Sequence, residues 1–476
     1  MRKPTIAEAF VPLFFLVILL SINVYSFADN SLTGSNQLVL VAATALAGML
    51  NYHLGVSWEN MLAMITNSIH AAMPAMLILL MIGSLSGAWL LGGIVPAMIY
   101  YGLQLLHPAV FLFAACIIAA IVSLATGSSW STVATVGVAL MGISRTLGFE
   151  DGLTAGAIIS GAYFGDKLSP LSDTTNLAPA VSGTNLFTHI RYMFYTTIPT
   201  FTLTLVIFLV IGFWLPPVPS ADVSAVLTEL DSIFDISLWL FVVPLITFIL
   251  IAKNVPALPA MAIGIVGGVL SGLIFQQTAL ATLSTNSGSS LYQTIMKGLY
   301  GSTAIVSENI VLAGLLQSKG MAGMLNTVWL IVCAMSFGGM LEAGGMLARI
   351  TEAIASMATS VFSLIAATVG TCIFLNITTS DQYLSIAIGG RMYAATFRKR
   401  GLAPENLSRT LEDSGTVTSV LVPWNTCGAT QATVLGVATM TYLPYCFFNL
   451  LSPITTLLFA AFDIKIKRTE AKTIEE

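Results

Sequence analysis

The sequence predicts an all-α polytopic membrane protein whose apolar helices are interrupted by polar, proline-bearing stretches. Three observations predict it. Asp, Glu, Lys and Arg make up only 8% of the 476 residues, against ~25% in soluble domains, while 56% are apolar and mean hydropathy is +0.89. Charge-free runs cover 60–144, 192–221, 254–296, 353–380 and 414–462, and since one helical span takes ~20 apolar residues, several must cross the bilayer more than once. Carboxylates and prolines then recur together between such runs, at 165–179 and 411–428. Short segments of alternating polarity, which would mark a β-barrel, do not occur.

In chain order, apolar periodicity places helices near 10–27, 38–54, 72–92, 95–106, 110–125, 133–147 and 153–163, then near 197–215, 238–252, 257–275, 302–316, 325–342, 356–375, 416–440 and 442–462. Arg2-Lys3 ahead of an apolar 11–20 has the look of a signal peptide, but with so many spans following it a first retained helix is expected. Arg2, Lys3, Arg398, Lys399, Arg400, Lys465, Lys467 and Arg468 mark the cytoplasmic side by the positive-inside tendency. Both termini are therefore expected inside. The stretch 216–236 carries Asp222, Glu229, Asp231 and Asp235 without Lys or Arg, and is expected outside. Each half then crosses an odd number of times, so the halves run in opposite senses, the inverted-repeat plan common among secondary transporters. The chain divides into a first transmembrane repeat (1–215), an extracytoplasmic connecting loop (216–236), a second repeat (237–465) and a cytoplasmic tail (466–476). A polar stretch 126–132 precedes an acidic one, 165–176, in the first half; 376–381 precedes 412–426 in the second.

A net charge of −4 with no basic run argues against nucleic acid as a partner. The five cysteines lie in apolar segments without paired spacing and read as small membrane-core residues. His53, His70, His107 and His189 show no metal-ligand spacing. Gly83 with Gly87, and Gly264 with Gly268 and Gly272, have the GxxxG spacing of close helix packing.

The densest chemistry lies in Gly165-Asp166-Lys167-Leu168-Ser169-Pro170-Leu171-Ser172-Asp173-Thr174-Thr175-Asn176. Pro170 has no amide hydrogen, so carbonyls just upstream lose their helical partners. Freed carbonyls, two carboxylates and hydroxyls are the oxygen shell that a hard cation such as sodium takes. Such breaks survive at membrane depth only where they line a cavity or are buried in protein. Asp166, Asp173, Thr174, Thr175 and Asn176 are therefore expected to bind cation or proton, with Na+ on Asp166, Asp173 and Asn176. A polar surface loop is the bland alternative, and the apolar run before it weighs against that. Lys167 would either neutralise Asp166 or anchor at the interface.

In the second half Pro423 supplies the break, and Glu412, Asp413, Ser414, Thr416, Asn425 and Thr426 supply oxygens. Glu412 and Asp413 could equally open a helix, where acidic residues are favoured. Asn376-Ile377-Thr378-Thr379-Ser380-Asp381 separates two apolar runs as a hairpin tip would. Asp381, Asp413, Asn425 and Thr426 thus join the ion-binding set. Ser128, Ser129, Thr378, Thr379, Ser380, Glu412, Ser414 and Thr416 are candidates for substrate contact, although 126–132 bears no charge and a serine-rich packing face accounts for it equally well. Glu308 and Glu342 interrupt apolar segments and rank lower.

The stretch from Gly165 to Pro179 resembles the central motif of the NhaC family of Na+/H+ antiporters, which includes malate/lactate-coupled exchangers. Leu411-Glu412-Asp413-Ser414-Gly415-Thr416 with Pro423-Trp424-Asn425-Thr426-Cys427-Gly428 resembles its second motif, and weaker similarity covers 95–101, 127–132, 337–342 and 379–383. The resemblance implies the fold of the wider ion-transporter superfamily: inverted repeats, paired re-entrant hairpins and paired interrupted helices. It implies an antiporter of the cytoplasmic (inner) membrane exchanging Na+ for H+ by alternating access, partnered by the lipid bilayer, with no cofactor beyond the transported ions. It leaves open a homodimer and a small carboxylate as cargo. Because the same motifs serve organic-acid carriers, a Na+/H+-coupled malate/lactate-type or amino-acid exchanger is the alternative, and Arg391 would suit an organic anion unless it is an anchor beside Arg398. No enzyme is expected: Gly165-Asp166 is faintly similar to half of a membrane aspartyl protease pair, but no Tyr-Asp partner, HExxH or GxSxG occurs.

Overall fold

The computed structural model describes residues 2–27, 34–214, 222–253, 255–307, 309–356 and 358–469. Glu308, residues 216–221 of the connecting loop and the tail beyond 469 lie outside the described residues. The first half contains α1 (Ile6–Phe27), α2 (Ser35–His53), α3 (Trp58–Leu91), α4 (Ile94–Leu105), α5 (Phe111–Thr126), α6 (Ser129–Thr132), α7 (Val138–Leu147), α8 (Asp151–Leu168), α9 (Asp173–Ser182) and α10 (Leu186–Trp214). After it come α11 (Val223–Ile233), α12 (Val242–Ala252), α13 (Ala257–Phe275), α14 (Gln277–Ser287), α15 (Leu291–Tyr300), α16 (Ile310–Leu315), α17 (Leu325–Ala343) and α18 (Met346–Ser356). The chain ends with α19 (Val361–Thr378), α20 (Gln382–Lys399), α21 (Pro404–Leu411), α22 (Thr426–Leu435), α23 (Thr439–Tyr442) and α24 (Phe447–Ala461). Among the described residues seven helices are long and apolar enough to cross a membrane, or up to nine if two bent pairs each count as one span.

Several elements differ from the sequence reading: the helix expected at 302–316 is instead a pair of short antiparallel strands, 303–304 with 317–318, around the short α16, and the one expected at 197–215 already begins at Leu186. The helix expected at 72–92 begins at Trp58, because the Ser57 hydroxyl caps it by accepting the Asn60 amide at 3.3 Å, and neither Asn67, His70 nor Pro74 stops it. The helix expected at 416–440 is broken. A π turn at Glu412–Thr416 and a 3-10 turn at Ser419–Leu421 precede an extended Val422, and the chain restarts as a helix only where Asn425 caps α22. Pro423 accounts for the break, since it disfavours helical geometry at the residue before it.

Close packing of small residues sets the helix positions. A Cβ on Gly161 would lie 2.0 Å from the Cys116 carbonyl oxygen, and one on Gly165 would lie 2.3 Å from that of Ala120, so α8 crosses α5 backbone to backbone. A Cβ on Gly87 would likewise lie 1.9 Å from the Gly298 carbonyl oxygen, and one on Gly92 2.5 Å from that of Gly268. Without a hydrophobic driving force between helices in lipid, such contact area holds the bundle together. Four interruptions result from this arrangement: a tip after α5, a break after α8, a tip after α19 and a break before α22.

Gly161→Val is expected to destabilise the fold by about 1–3 kcal/mol or more through overpacking. Gly370→Ala, where a Cβ meets nothing within 4 Å, should be neutral or stabilising by up to about 1 kcal/mol. Thermal unfolding of both variants in detergent checks the pair, and equal melting temperatures would contradict the close crossing.

Candidate functional site

Each tip docks on the break that follows it in its own half. At the first tip Gly127 turns the chain with φ +67°, in van der Waals contact with Leu171 and Ser172 of the first break. Ser128 then caps α6 by accepting the Ser131 amide at 3.2 Å. Ser129 donates its amide (3.0 Å) and its hydroxyl (2.7 Å) to Asp166 Oδ2. At the second tip Ser380 turns the chain with φ +58°, and its carbonyl accepts the Thr426 amide at 2.9 Å. Asp381 caps α20 by accepting the Leu384 amide at 2.9 Å, while its other oxygen lies 3.5 Å from the Thr426 hydroxyl. Asn425 Nδ2 donates to the Asn376 carbonyl at 3.0 Å, and its Oδ1 accepts the Cys427 amide at 3.0 Å.

The two halves meet at tyrosines. The Tyr383 phenol on α20 is within electrostatic reach of Asp166, Asp173 and Asp381. Tyr163 on α8 approaches Ser419, Cys427 and Asp166. Asp166 and Asp381 are buried, at 6% and 3% exposure, whereas Asp173 and Asn176 are exposed and Tyr383 retains 37% of its surface. Among the described residues neither Asp166 nor Asp381 forms a salt bridge.

Several expected ion ligands are engaged with the breaks themselves. The Thr175 hydroxyl donates to the Lys167 carbonyl at 3.0 Å and the Asp166 carbonyl at 3.3 Å. Asn176 Nδ2 donates to the carbonyls of Pro170 (2.9 Å) and Ser172 (2.8 Å), within the break itself. Thr174 lies 3.2 Å from the Ser172 hydroxyl. Thr378, Thr379 and Ser414 each donate to a carbonyl four residues earlier, at 2.9, 2.8 and 2.5 Å. The Ser380 hydroxyl is buried without a hydrogen bond. Arg391 is exposed, with its Nε on its own helix at Ala387, in the position of an anchor.

The profile of the Na+/H+ antiporter family matches residues 161–464, a stretch that holds both breaks and the second tip. The chain belongs to this family. It is 35% identical over 432 residues to the Na(+)/H(+) antiporter NhaC of Alkalihalophilus pseudofirmus, covering 91% of each chain. It is 35% identical over 447 residues to the malate-2H(+)/Na(+)-lactate antiporter of Bacillus subtilis, covering 93% of this chain and 92% of that one. The arginine/ornithine antiporter ArcD of Halobacterium salinarum is 33% identical over 462 residues, with coverage of 96% and 92%.

In this family member the two carboxylates of the π turn have different surroundings. Asp413 forms an ion pair with Lys167, and both side chains are fully buried. The same carboxylate accepts the hydroxyls of Thr196 (2.9 Å) and Ser452 (3.2 Å) and that of Thr456. The partner of Lys167 is thus neither Asp166 nor the interface. Four elements, α8, α10, the π turn and α24, are joined at this point. Glu412 is equally buried, yet neither of its oxygens has a hydrogen-bond partner by distance and angle. The Thr416 hydroxyl is its polar neighbour, and Lys167, Asp166 and Asp413 are its charged ones. Tyr383, Tyr163 and the Lys167–Asp413 pair carry no local sequence signal, since each depends on a partner in the other half of the fold.

Removing one member of a buried pair strands the other charge, at a cost of about 3–5 kcal/mol, whereas replacing both with apolar residues is often neutral. Lys167→Met alone should therefore unfold at a much lower temperature, and Lys167→Met with Asp413→Leu should recover most of the loss. Strictly additive losses in a double-mutant cycle would exclude the pairing.

Proposed function

We propose that this chain exchanges Na+ for H+ across the cytoplasmic membrane by alternating access, with both termini cytoplasmic and the cation bound where the tips meet the breaks. The observation that supports this most is the state of Asp166. Its carboxylate is buried with no salt-bridge partner among the described residues, and the tip serine holds one of its oxygens with two hydrogen bonds. A buried carboxylate so placed needs a proton or a cation to persist in low dielectric. Occupancy by one excludes the other, and that exclusion is the exchange. Asp381 occupies the corresponding place in the second half, and Glu412 is a third buried carboxyl within reach of Asp166. Exposed Asp173, Asn176 and Tyr383 line the aqueous approach, so that Na+ arriving there meets Asp173 and Asn176 before Asp166. The repeats 1–215 and 237–465 rock against each other around these groups.

The relatives named for malate, lactate, arginine and ornithine keep the organic-cargo reading in view. Electrostatics favours the inorganic cation. An organic anion is held best by a free cation at the site, and Lys167 is already neutralised by Asp413.

In proteoliposomes with an imposed sodium gradient and a pH-sensitive dye inside, Asp166→Asn and Asp381→Asn should each reduce Na+-driven proton flux to background. Ser129→Ala removes one charge-assisted hydrogen bond and should shift the half-saturating Na+ concentration by about tenfold or more. Flux surviving Asp166→Asn would overturn the assignment. Counterflow of labelled malate by the unmodified protein would instead establish the organic-acid reading.

A further inference from the structure

A cavity of about 450 Å³ opens between the start of α10 and the chain following α24, far in sequence from the tips, and Arg191, Tyr192, Tyr195, Glu405, Lys465 and Lys467 line it. Its charge is unbalanced. Glu405 is engaged by Lys467 at 2.6 Å. The Lys465 ammonium lies 4.9 Å over the Tyr195 ring and has no carboxylate partner among the described residues. The Arg191 guanidinium is exposed and likewise unpaired among them. Behind the wall lies fully buried Arg409: its guanidinium is 4.6 Å from the Tyr192 ring, its Nη1 donates to the Lys465 carbonyl at 3.4 Å, and its Nε and Nη2 have no hydrogen-bond partner among the described residues. Two free cations thus face the cavity and a third, uncompensated, sits one side chain deeper.

The position is that of a membrane boundary. α10 has 29 residues and so runs for ~44 Å at 1.5 Å per residue, well beyond the ~30 Å of hydrocarbon that a bilayer offers. The surplus is ~14 Å, and the charge-free run of α10 begins only after Arg191, so Arg191 and Tyr192 mark the headgroup boundary, where tyrosine is at home. Further along each helix from the cavity, Phe194 and Ile198 on α10 and Leu458 and Phe462 at the end of α24 are exposed apolar residues. Cationic groups at headgroup depth above an apolar strip match one amphipathic anion.

We propose that this cavity binds the phosphate of an anionic phospholipid, with Arg191 and Lys465 as its cationic contacts and the exposed strip of α10 and α24 beneath its acyl chains. The chain after α24 is built to hold Lys465 there: the Lys467 amide donates to the Tyr192 hydroxyl at 3.1 Å and to Asn406 Oδ1 at 3.2 Å, and its carbonyl accepts the Ala403 amide at 3.0 Å. Free phosphate shares the headgroup's chemistry but not the acyl chains, which separates the two experimentally.

The purified full-length protein in neutral detergent should be stabilised by phosphatidylglycerol, read as a rise in melting temperature, and not by phosphatidylcholine or inorganic phosphate. Arg191→Gln and Lys465→Gln should each weaken the apparent phosphatidylglycerol affinity by about fivefold. Arg398→Gln with Lys399→Gln, exposed basic residues outside the cavity, should leave it unchanged. Equal stabilisation by phosphatidylcholine or by inorganic phosphate, or unaltered affinity in the cavity variants, overturns the proposal. Should the variants fail to fold, native mass spectrometry of the unmodified protein in mixed lipid decides: preferential retention of phosphatidylglycerol is expected, and retention without preference overturns the proposal.

Discussion

Backbone amides and carbonyls freed inside a bilayer have no water to turn to, so every interruption of a helix at membrane depth has to be answered by another protein group. This constraint organises the centre of the fold. The carbonyls of Asp166 and Lys167 take Thr175, those of Pro170 and Ser172 take Asn176, and those of Asn376 and Ser380 take Asn425 and Thr426. Around the second break the Ile377 carbonyl takes Trp424 Nε1 at 2.7 Å, that of Gly415 takes Asn376 at 2.7 Å, that of Val417 takes Asn449 at 2.9 Å and that of Val420 takes the Tyr442 hydroxyl at 2.9 Å. Most of the polar residues in the motifs are thereby committed to keeping the breaks open. Three buried carboxylates, Asp166, Asp381 and Glu412, are left without a salt-bridge partner among the described residues, and these are the groups to which the proposed function gives the ions.

The parts of this arrangement that were legible in the sequence are those set by local composition. Charge-free runs disclosed the spans, and prolines among carboxylates disclosed the breaks, because both effects act within one or two helical turns. Long-range pairings were not legible. Lys167 finds Asp413 across 246 residues, and nothing near Lys167 distinguishes that partner from adjacent Asp166. Tyr383 looks like an ordinary aromatic until α20 packs beside α9. Gly161 and Gly165 have the same GxxxG spacing as Gly83 and Gly87, but the acidic motif beginning at Gly165 draws attention from their role as a crossing point. Within the span expected over 416–440 the break at Pro423 was legible, whereas the π turn at Glu412–Thr416 and the 3-10 turn at Ser419–Leu421 ahead of it were not.

Glu412 and Asp413 show how far consecutive residues can diverge. Neighbours on a helix point about 100° apart, and at the π turn this sends Asp413 into a cage of Lys167, Thr196, Ser452 and Thr456 while Glu412 faces Thr416. The cage is electrically closed. Lys167 cannot serve as counter-ion to Asp166 as well, so the region between the halves carries an excess of carboxylates over cations. Under the proposed function such a field favours small cations over organic anions, and the structural ion pair would contribute to selectivity without touching the ion.

The two half-sites are not equivalent, and the difference bears on how exposure could alternate. In the first half the turn residue is Gly127, which adopts φ +67° without penalty, and the tip's amide and hydroxyl both act on the carboxylate of the break. In the second half the turn residue is Ser380 at φ +58°, a conformation that costs a non-glycine residue roughly 1–2 kcal/mol, and the carboxylate belongs to the tip itself. The Thr426 amide bonded to the Ser380 carbonyl helps hold that disfavoured turn. An ion or proton arriving at Asp166 competes directly for the hydrogen bonds that tie tip to break. One arriving at Asp381 meets an oxygen that contacts the break only through Thr426 at 3.5 Å, while the backbone bond persists. Under the proposed exchange, occupancy would therefore bear on the docking of the first tip more directly than on that of the second.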